Sequence, residues 1–264
     1  MNMAFIDDLA FIELLLVMAA AVLTYVGIVG WWNLRMNDAK ALRSTLKGAA
    51  APLGIVGSVA FVIGIAGELS WPFPASYHMA GYNIFFFDAI MLFSMVLIAY
   101  AVAVFAQLRF QYVGIFALVA GAAVAFYGWV GYTANPQFTK EPFETLLLYV
   151  GFGVAGIAAF PTSVILDYYL GAVDASKSIW GTTVGSRTPA RSAMGARGVA
   201  TIPGSDGDAS ETKESVPALS RVPYYVQLLV LAFPFFMALA GIAALLLFGS
   251  TLPGHLGSGP GGAP

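Results

Sequence analysis

The sequence predicts an all-α fold, an integral membrane bundle of about six transmembrane helices. Of its 264 residues, 59% are hydrophobic and only 10% are charged, and the mean hydropathy is +0.81. Soluble domains carry about 25% charged residues, and a soluble core could not hide this much apolar surface from water. The apolar runs are long and unbroken, whereas the strands of a membrane β-barrel alternate in polarity over about ten residues. Helices embedded in lipid are therefore predicted.

Six apolar segments are long enough to cross a bilayer, which takes about 20 residues of helix. They cover residues 9–32, 49–68, 84–107, 111–133, 144–169 and 223–249. Each segment is bounded by charged residues, Pro or Asn. The first follows Asp7 and Asp8 and meets no basic residue before Arg35. It is therefore predicted to span the membrane, because a cleavable signal peptide begins with basic residues.

Small residues in the second and fourth segments predict where helices pack closely, because membrane helices associate through close backbone approach. The stripe in the second segment consists of Gly57, Ala60, Gly64 and Gly67. The stripe in the fourth consists of Gly114, Ala117, Gly121, Val124, Gly128 and Gly131. The fifth and sixth segments contain Pro161 and Pro234. Each proline removes a backbone hydrogen bond and is predicted to kink its helix.

The basic residues predict the orientation of the bundle, since the cytoplasmic loops of membrane proteins are enriched in Lys and Arg. Only Lys140 falls in a loop on one side of the predicted bundle. The loops on the other side contain Arg35, Lys40, Arg43, Lys47, Arg109, Lys177, Arg187, Arg191, Arg197, Lys213 and Arg221. We therefore expect a multi-pass protein of the plasma membrane, with both termini outside and the basic loops in the cytoplasm.

Composition divides the chain into four regions. Residues 1–170 form a five-helix transmembrane region that includes an outer Trp-Pro-x-Pro segment, and residues 223–249 form the sixth helix. Residues 171–222 are rich in Gly, Ser, Thr, Ala and Pro, and such segments bury too little apolar area to offset chain entropy. They are predicted to form a flexible cytoplasmic loop. The Gly-rich residues 250–264 are predicted to be a disordered external tail.

Candidate functional residues cluster around the outer segment between the second and third helices. Ionisable residues at membrane depth are costly and indicate a functional site by default. The predicted polar or ion site comprises Glu68, His78, Asn83, Asp88 and Glu13. Trp71, Tyr77 and Tyr82 are predicted to form its wall or an aromatic belt at the membrane interface. Glu68 follows Gly64 by four residues, which places it on the small-residue face of its helix.

The chemistry of this outer site stays open at the level of sequence. Glu68, His78 and Asp88 could hold a divalent cation, or the carboxyl groups could bind protons. Alternatively, the two acids could cap helix ends or bond to nearby backbone groups, with His78 in water.

Several kinds of chemistry are disfavoured by the residues that the chain has. It contains no Cys and only two His, which argues against thiolate metal sites and a bis-His haem. No nucleotide-binding glycine motif, zinc-protease motif or serine nucleophile with a nearby base is present. The net charge of −2 gives no reason to expect nucleic acid as a partner. The sequence requires no cofactor, and a cofactor, if there is one, stays unknown.

The chain resembles an uncharacterised, domain-of-unknown-function family of multi-pass membrane proteins from archaea and actinobacteria, and the resemblance is best over the first three predicted spans. The resemblance is carried by Asn37-Asp38, Pro52-Leu53-Gly54, Glu68, Trp71-Pro72-Phe73-Pro74, Tyr82-Asn83 and Asp88. It implies a compact helical membrane domain and supplies no reaction or cofactor.

Two functions compete on the sequence alone. The first is a non-enzymatic accessory or structural subunit of a membrane complex, such as a respiratory or redox complex. In that case we expect contacts with the lipid bilayer and with other membrane proteins or further copies of the chain. The alternative is a small cation or proton transporter or channel that uses the outer carboxylates. No complete catalytic set is evident, so an enzyme is the less favoured class.

Overall fold

The computed structural model describes residues 8–70, 84–134, 142–185 and 224–257. These residues form six helices: α1 (Asp8–Arg35), α2 (Ala39–Ser70), α3 (Ala89–Phe105), α4 (Phe110–Ala134), α5 (Pro142–Gly185) and α6 (Tyr224–Gly257). A single π-helical turn, Ile84–Asp88, leads directly into α3. All six helices are long and apolar enough to cross a membrane. The predicted all-α fold of six spans is therefore confirmed, with no strand among the described residues.

Three helices extend beyond the segments predicted from apolarity. α2 begins at Ala39, on the basic side of the 49–68 segment, and α5 continues to Gly185. The first part of the region 171–222, expected to be a loop, is thus helical, and so is the start of the 250–264 tail, since α6 ends at Gly257. Helices need backbone hydrogen bonds rather than apolar side chains, and residues 171–185 contain no proline to end one. The remainder of both regions lies outside the described residues.

The six helices form a closed ring. Each helix packs against the next one in sequence, and α6 closes the ring by packing against α1. The closing pair is antiparallel, because Gly27 lies against Pro234 and Gly241 lies against Ala20. One end of the ring, hereafter the Glu68 end, holds the end of α2 and the π-helical turn. The opposite end, hereafter the Asp167 end, holds the α1–α2 and α3–α4 connections.

The α1–α2 connection is a tight turn at the Asp167 end. Asn37 has a φ of 57°, a left-handed conformation that Asn tolerates better than most residues. The N–H of Asp38 donates to the carbonyl of Asn33 at 2.9 Å, which closes α1. The Asp38 carboxylate then accepts a hydrogen bond from the N–H of Ala41 at 2.8 Å and begins α2 as its N-cap.

The α3–α4 connection is closed by a residue distant in sequence. Gln107 adopts a φ of 55°, and α4 begins three residues later. The N–H groups of Phe110 and Gln111 donate to the two carboxylate oxygens of Asp167, at 2.9 and 2.7 Å. An aspartate on α5 thus satisfies the unpaired amides at the start of α4, where a negative charge is also favoured by the helix dipole.

Both small-residue stripes are used for packing inside the ring. A Cβ built on Gly57 would lie 2.9 Å from Leu97 Cβ, and one built on Gly64 would lie 2.5 Å from Met91 Cγ, so the α2 stripe faces α3. On α4, the Cβ of an alanine at Gly121 would lie 2.5 Å from the carbonyl oxygen of Gly153 on α5. Only glycine allows the two backbones to approach this closely.

Candidate functional site

The π-helical turn before α3 forms one wall of the candidate site. π-helical turns insert a residue into a helix and are frequent at functional sites. Here the turn is held from the side by Tyr149 of α5, whose hydroxyl donates to the carbonyl oxygen of Phe85 at 2.7 Å. The aromatic rings of Phe85 and Tyr149 also stack on each other, with their centroids 4.2 Å apart. Tyr149 is buried, so this contact fixes the turn firmly against α5.

Glu68 is brought to this turn by the small-residue face of α2. Gly64 packs against Met91, and Gly67 packs against the ring of Phe87 in the π-helical turn. Glu68, the next residue, therefore reaches Asp88, and the two carboxyl groups lie within hydrogen-bonding reach of each other. The structure thus brings together the two acids on which the sequence analysis placed most weight.

Tyr127 of α4 completes the cluster from the third side. Its hydroxyl donates to Asp88 Oδ2 at 3.3 Å, and it lies within electrostatic range of both Glu68 and Tyr149. The acid cluster, defined as Glu68, Asp88, Tyr127 and Tyr149, therefore draws one side chain each from α2, the π-helical turn, α4 and α5. Four elements of the ring fix its geometry, which limits how far the carboxyl groups can move apart.

The electrostatics of the acid cluster favour a bound positive charge. Two adjacent carboxylates repel each other, and the repulsion is stronger in an apolar environment than in water. Glu68 Oε1 is excluded from solvent and has no hydrogen-bond partner among the described residues. The lysine and arginine residues that the structure describes lie toward the Asp167 end, away from this pair. A proton or a metal cation shared between the two carboxyl groups would relieve the repulsion and satisfy the buried oxygen.

Glu13, the third predicted acid, lies on the wall of a cavity between the helices. The cavity has a volume of about 760 Å³ and is lined by residues of all six helices. Glu13 is half-buried on α1 and faces this space together with Thr145 and Phe86. Tyr149 also lines the cavity, so one member of the acid cluster has its ring on the cavity wall.

Five predicted site residues lie outside the described part of the chain. They are Trp71, Tyr77, His78, Tyr82 and Asn83. Within the described ranges no group of three metal-ligating side chains occurs. The predicted metal set of Glu68, His78 and Asp88 includes one of the five, so it stays a prediction.

The two tyrosines of the acid cluster are functional candidates that sequence reasoning missed. Tyr127 directly precedes Gly128 of the α4 stripe, and an added Cβ at Gly128 would collide with Tyr149. For Tyr127, the signal that could have been used is a phenol beside a packing stripe within an apolar span, because a buried hydroxyl needs a partner.

Comparison with known proteins identifies a family for this chain but gives no activity for that family. Residues 3–181 match a family model described as "Protein of unknown function (DUF981)". No curated protein matches the chain, and no solved structure does. The match covers α1 to α4 and most of α5, and therefore every residue of the acid cluster.

Proposed function

Since the chain belongs to the DUF981 family of proteins of unknown function, we propose a function from the site alone: the protein binds a small cation, a proton or a metal ion, between Glu68 and Asp88. The observation that carries the proposal is the meeting of these two carboxyl groups, from separate helices, at one end of a membrane bundle. Six spans make this a multi-pass membrane protein. The predicted orientation would turn the Glu68 end to the outside, where the pair would take its cation.

The neighbours of the pair support binding of a single positive charge. Tyr127 already donates a hydrogen bond to Asp88, which leaves one oxygen of Asp88 and the buried Oε1 of Glu68 for a further donor or cation. A shared proton needs only one such hydrogen bond, whereas a metal ion needs several oxygen ligands at about 2.0–2.6 Å. The described groups supply fewer oxygens than a metal usually takes, so we favour the proton.

Transport across the bundle, the wider form of this function, has less support than binding. The buried hydroxyls of Ser94 and Ser163 donate to the carbonyls of Ile90 and Phe160 in their own helices. Their protons are therefore used in local backbone hydrogen bonds. No Asp, Glu, Lys, Arg or His lies in the middle of any described span to carry a cation from Glu68 toward the Asp167 end, so the proposal concerns binding at one end of the bundle.

Infrared spectroscopy of the purified protein in lipid nanodiscs tests the proposal. A shared proton gives a carbonyl stretch of a protonated carboxyl group, which should persist at neutral pH and disappear in Glu68→Gln and in Asp88→Asn. Glu144→Gln is the matched control, because Glu144 lies at the same end, in the first turn of α5. Thermal unfolding with Na⁺, K⁺, Mg²⁺ or Ca²⁺ distinguishes a metal, since an ion that binds the folded protein raises the unfolding midpoint further as its concentration rises above its Kd.

The outcomes separate the alternatives. Loss of the protonated carboxyl band in both variants, with no stabilisation by metals, supports proton binding. Stabilisation by one metal that both variants abolish supports a metal ion instead. The proposal is wrong if the wild-type protein shows neither the band nor a metal-dependent shift, or if Glu144→Gln changes both readouts as strongly as Glu68→Gln does.

The accessory-subunit function, in which this chain joins other membrane proteins or copies of itself, is a second proposal of the sequence analysis. The observation that favours it is the amount of large apolar surface on the outside of the ring, for example Phe126 and Trp129 of α4 and Phe235 of α6. Lipid tails could cover these side chains equally well, and both small-residue stripes are already used within the chain. Native gel electrophoresis after mild solubilisation tests it: a larger assembly supports it, and a lone monomer contradicts it.

A further inference from the structure

The central cavity differs in chemistry from the acid cluster. Its volume of about 760 Å³ is within the range of about 300–1,000 Å³ that small-molecule sites occupy. Neither Glu68 nor Asp88 lines it, so its contents do not depend on the proposed cation function. Helix bundles commonly place ligands in such a space between their helices.

The cavity is long and narrow. On α1 its lining runs from Ile12 to Leu34, and on α6 it runs from Val230 to Ser250. At 1.5 Å per residue the α1 stretch is about 33 Å long, which is close to the thickness of the hydrocarbon core. Spread over that length, the volume corresponds to a mean cross-section of roughly 20 Å². Such a long, slender space suits an extended hydrocarbon chain better than a rounded ligand.

The walls of the cavity are apolar along most of its length. Leu23, Leu97, Phe152 and Met237 contribute to the lining from four different helices. Water is a poor occupant of such a space, because each buried water needs two to four polar partners. Protein interiors also contain few voids larger than a water molecule. An apolar chain would satisfy these walls.

The two ends of the cavity differ in charge. The hydroxyls that line it toward the Asp167 end, those of Tyr100, Thr162 and Ser163, already donate to backbone carbonyls, whereas the opposite end is acidic. Glu13, Thr145 and Ser250 line it at the Glu68 end, and Glu13 is the one carboxylate among the lining residues that the structure describes. A carboxylate is a hydrogen-bond acceptor only, so it selects a head group that donates hydrogen bonds or is positively charged.

From this shape and polarity we infer that the cavity binds a single-chain membrane lipid, with its tail along the ring axis and a hydroxyl or ammonium head group at Glu13. A single tail follows this one continuous space from end to end, and anionic head groups would be repelled by the carboxylate. The inference stands apart from the proposed cation function and can fail without it.

Photolabelling tests the inference directly. The probes are diazirine-bearing octadecylamine, octadecanol and a diacyl phosphatidylcholine, each added to the full chain in nanodiscs. We expect saturable labelling by the single-chain probes at cavity residues such as Phe152 and Met237. Gly30→Phe should lower that labelling by about tenfold, because the nearest atom to a Cβ at Gly30 is Leu42 Cδ1 at 3.7 Å, and a larger side chain there fills the cavity. Val119→Phe, on the exposed face of α4, is the matched control.

A second variant and a head-group comparison keep the test decisive. If Gly30→Phe does not fold, Ala159→Phe closes the same cavity from α5. Glu13→Gln should reduce labelling by the amine more than labelling by the alcohol, and an equal effect on both would overturn the head-group assignment. Labelling confined to outward residues such as Val119 would overturn the site. Equal cavity labelling by the diacyl probe would overturn the single-chain assignment.

Discussion

The close contact between α4 and α5 makes Gly121→Ala the most informative single substitution. The added methyl group would lie 2.5 Å from the carbonyl oxygen of Gly153 and 2.9 Å from the Cα of Gly156. These are backbone atoms, which cannot rotate away as a side chain would. The helices must therefore separate by about 1 Å at this point to restore a normal contact, and overpacking of this kind costs about 1–3 kcal/mol.

An opposing gain must be subtracted from that cost. Alanine is a better helix former than glycine by about 1 kcal/mol, so the net loss of stability should be about 0–2 kcal/mol. In a chain of this size that corresponds to a fall in the unfolding midpoint of up to roughly 8 °C. Gly48→Ala is the control, because a Cβ at Gly48 has no atom within 4 Å, and only the helix-propensity gain applies.

Thermal unfolding in one detergent, followed by circular dichroism, measures both variants. We expect Gly121→Ala to unfold below the wild-type protein and Gly48→Ala to unfold at or slightly above it. Gly121→Leu should be less stable than Gly121→Ala, since a longer side chain meets the same backbone. If Gly121→Ala is as stable as Gly48→Ala, α4 and α5 do not meet at this contact, and the packing argument fails.

Three further predictions concern the connections and the orientation. Asp167→Ala should lower the free energy of unfolding by about 1–2 kcal/mol, because it leaves the first amides of α4 without an acceptor. Asp167→Asn should lose less, because its amide oxygen can still accept a hydrogen bond. An equal fall in the unfolding midpoint of the two variants would contradict the capping role. Gln107→Gly should raise the free energy of unfolding by about 0.5–1 kcal/mol, because glycine adopts a φ of 55° without strain. A lower unfolding midpoint than that of the wild-type protein would contradict this. The chain has no Cys, so single cysteines can report orientation: an impermeant maleimide should label Thr133→Cys in intact cells and should label Lys40→Cys only after lysis, and the reverse pattern would invert the predicted topology.

The architecture could be predicted from the sequence where side-chain chemistry repeats along a helix. Apolarity over about 20 residues located all six spans, and the steps of three and four residues in the stripes located the helix faces that pack. The same stripe also predicted that Glu68 points toward protein, because residues four apart share a face. These predictions needed only the periodicity of one helix at a time.

Features that depend on two distant helices could not be predicted. The Asp167 carboxylate accepts hydrogen bonds from the start of α4, more than 50 residues earlier in the chain, and no local pattern marks that pairing. The packing of α6 against α1, which closes the ring, likewise depends on two helices that are far apart in the chain. Tyr127 was passed over because its helix is apolar in general, and its partner Asp88 becomes evident only when α3 and α4 are side by side.

Tyr149 connects the two proposed sites physically. Its hydroxyl holds the carbonyl of Phe85 in the turn that carries Asp88, and its ring lies on the wall of the central cavity. The two proposals nevertheless stand or fall separately, because neither carboxyl group of the Glu68–Asp88 pair lines the cavity. Coupling between two binding equilibria is reciprocal, so a lipid that changed the binding of the cation would have its own binding changed by the same factor. Tyr149 is the side chain that both sites share, and it is therefore the position at which such a coupling would be measured.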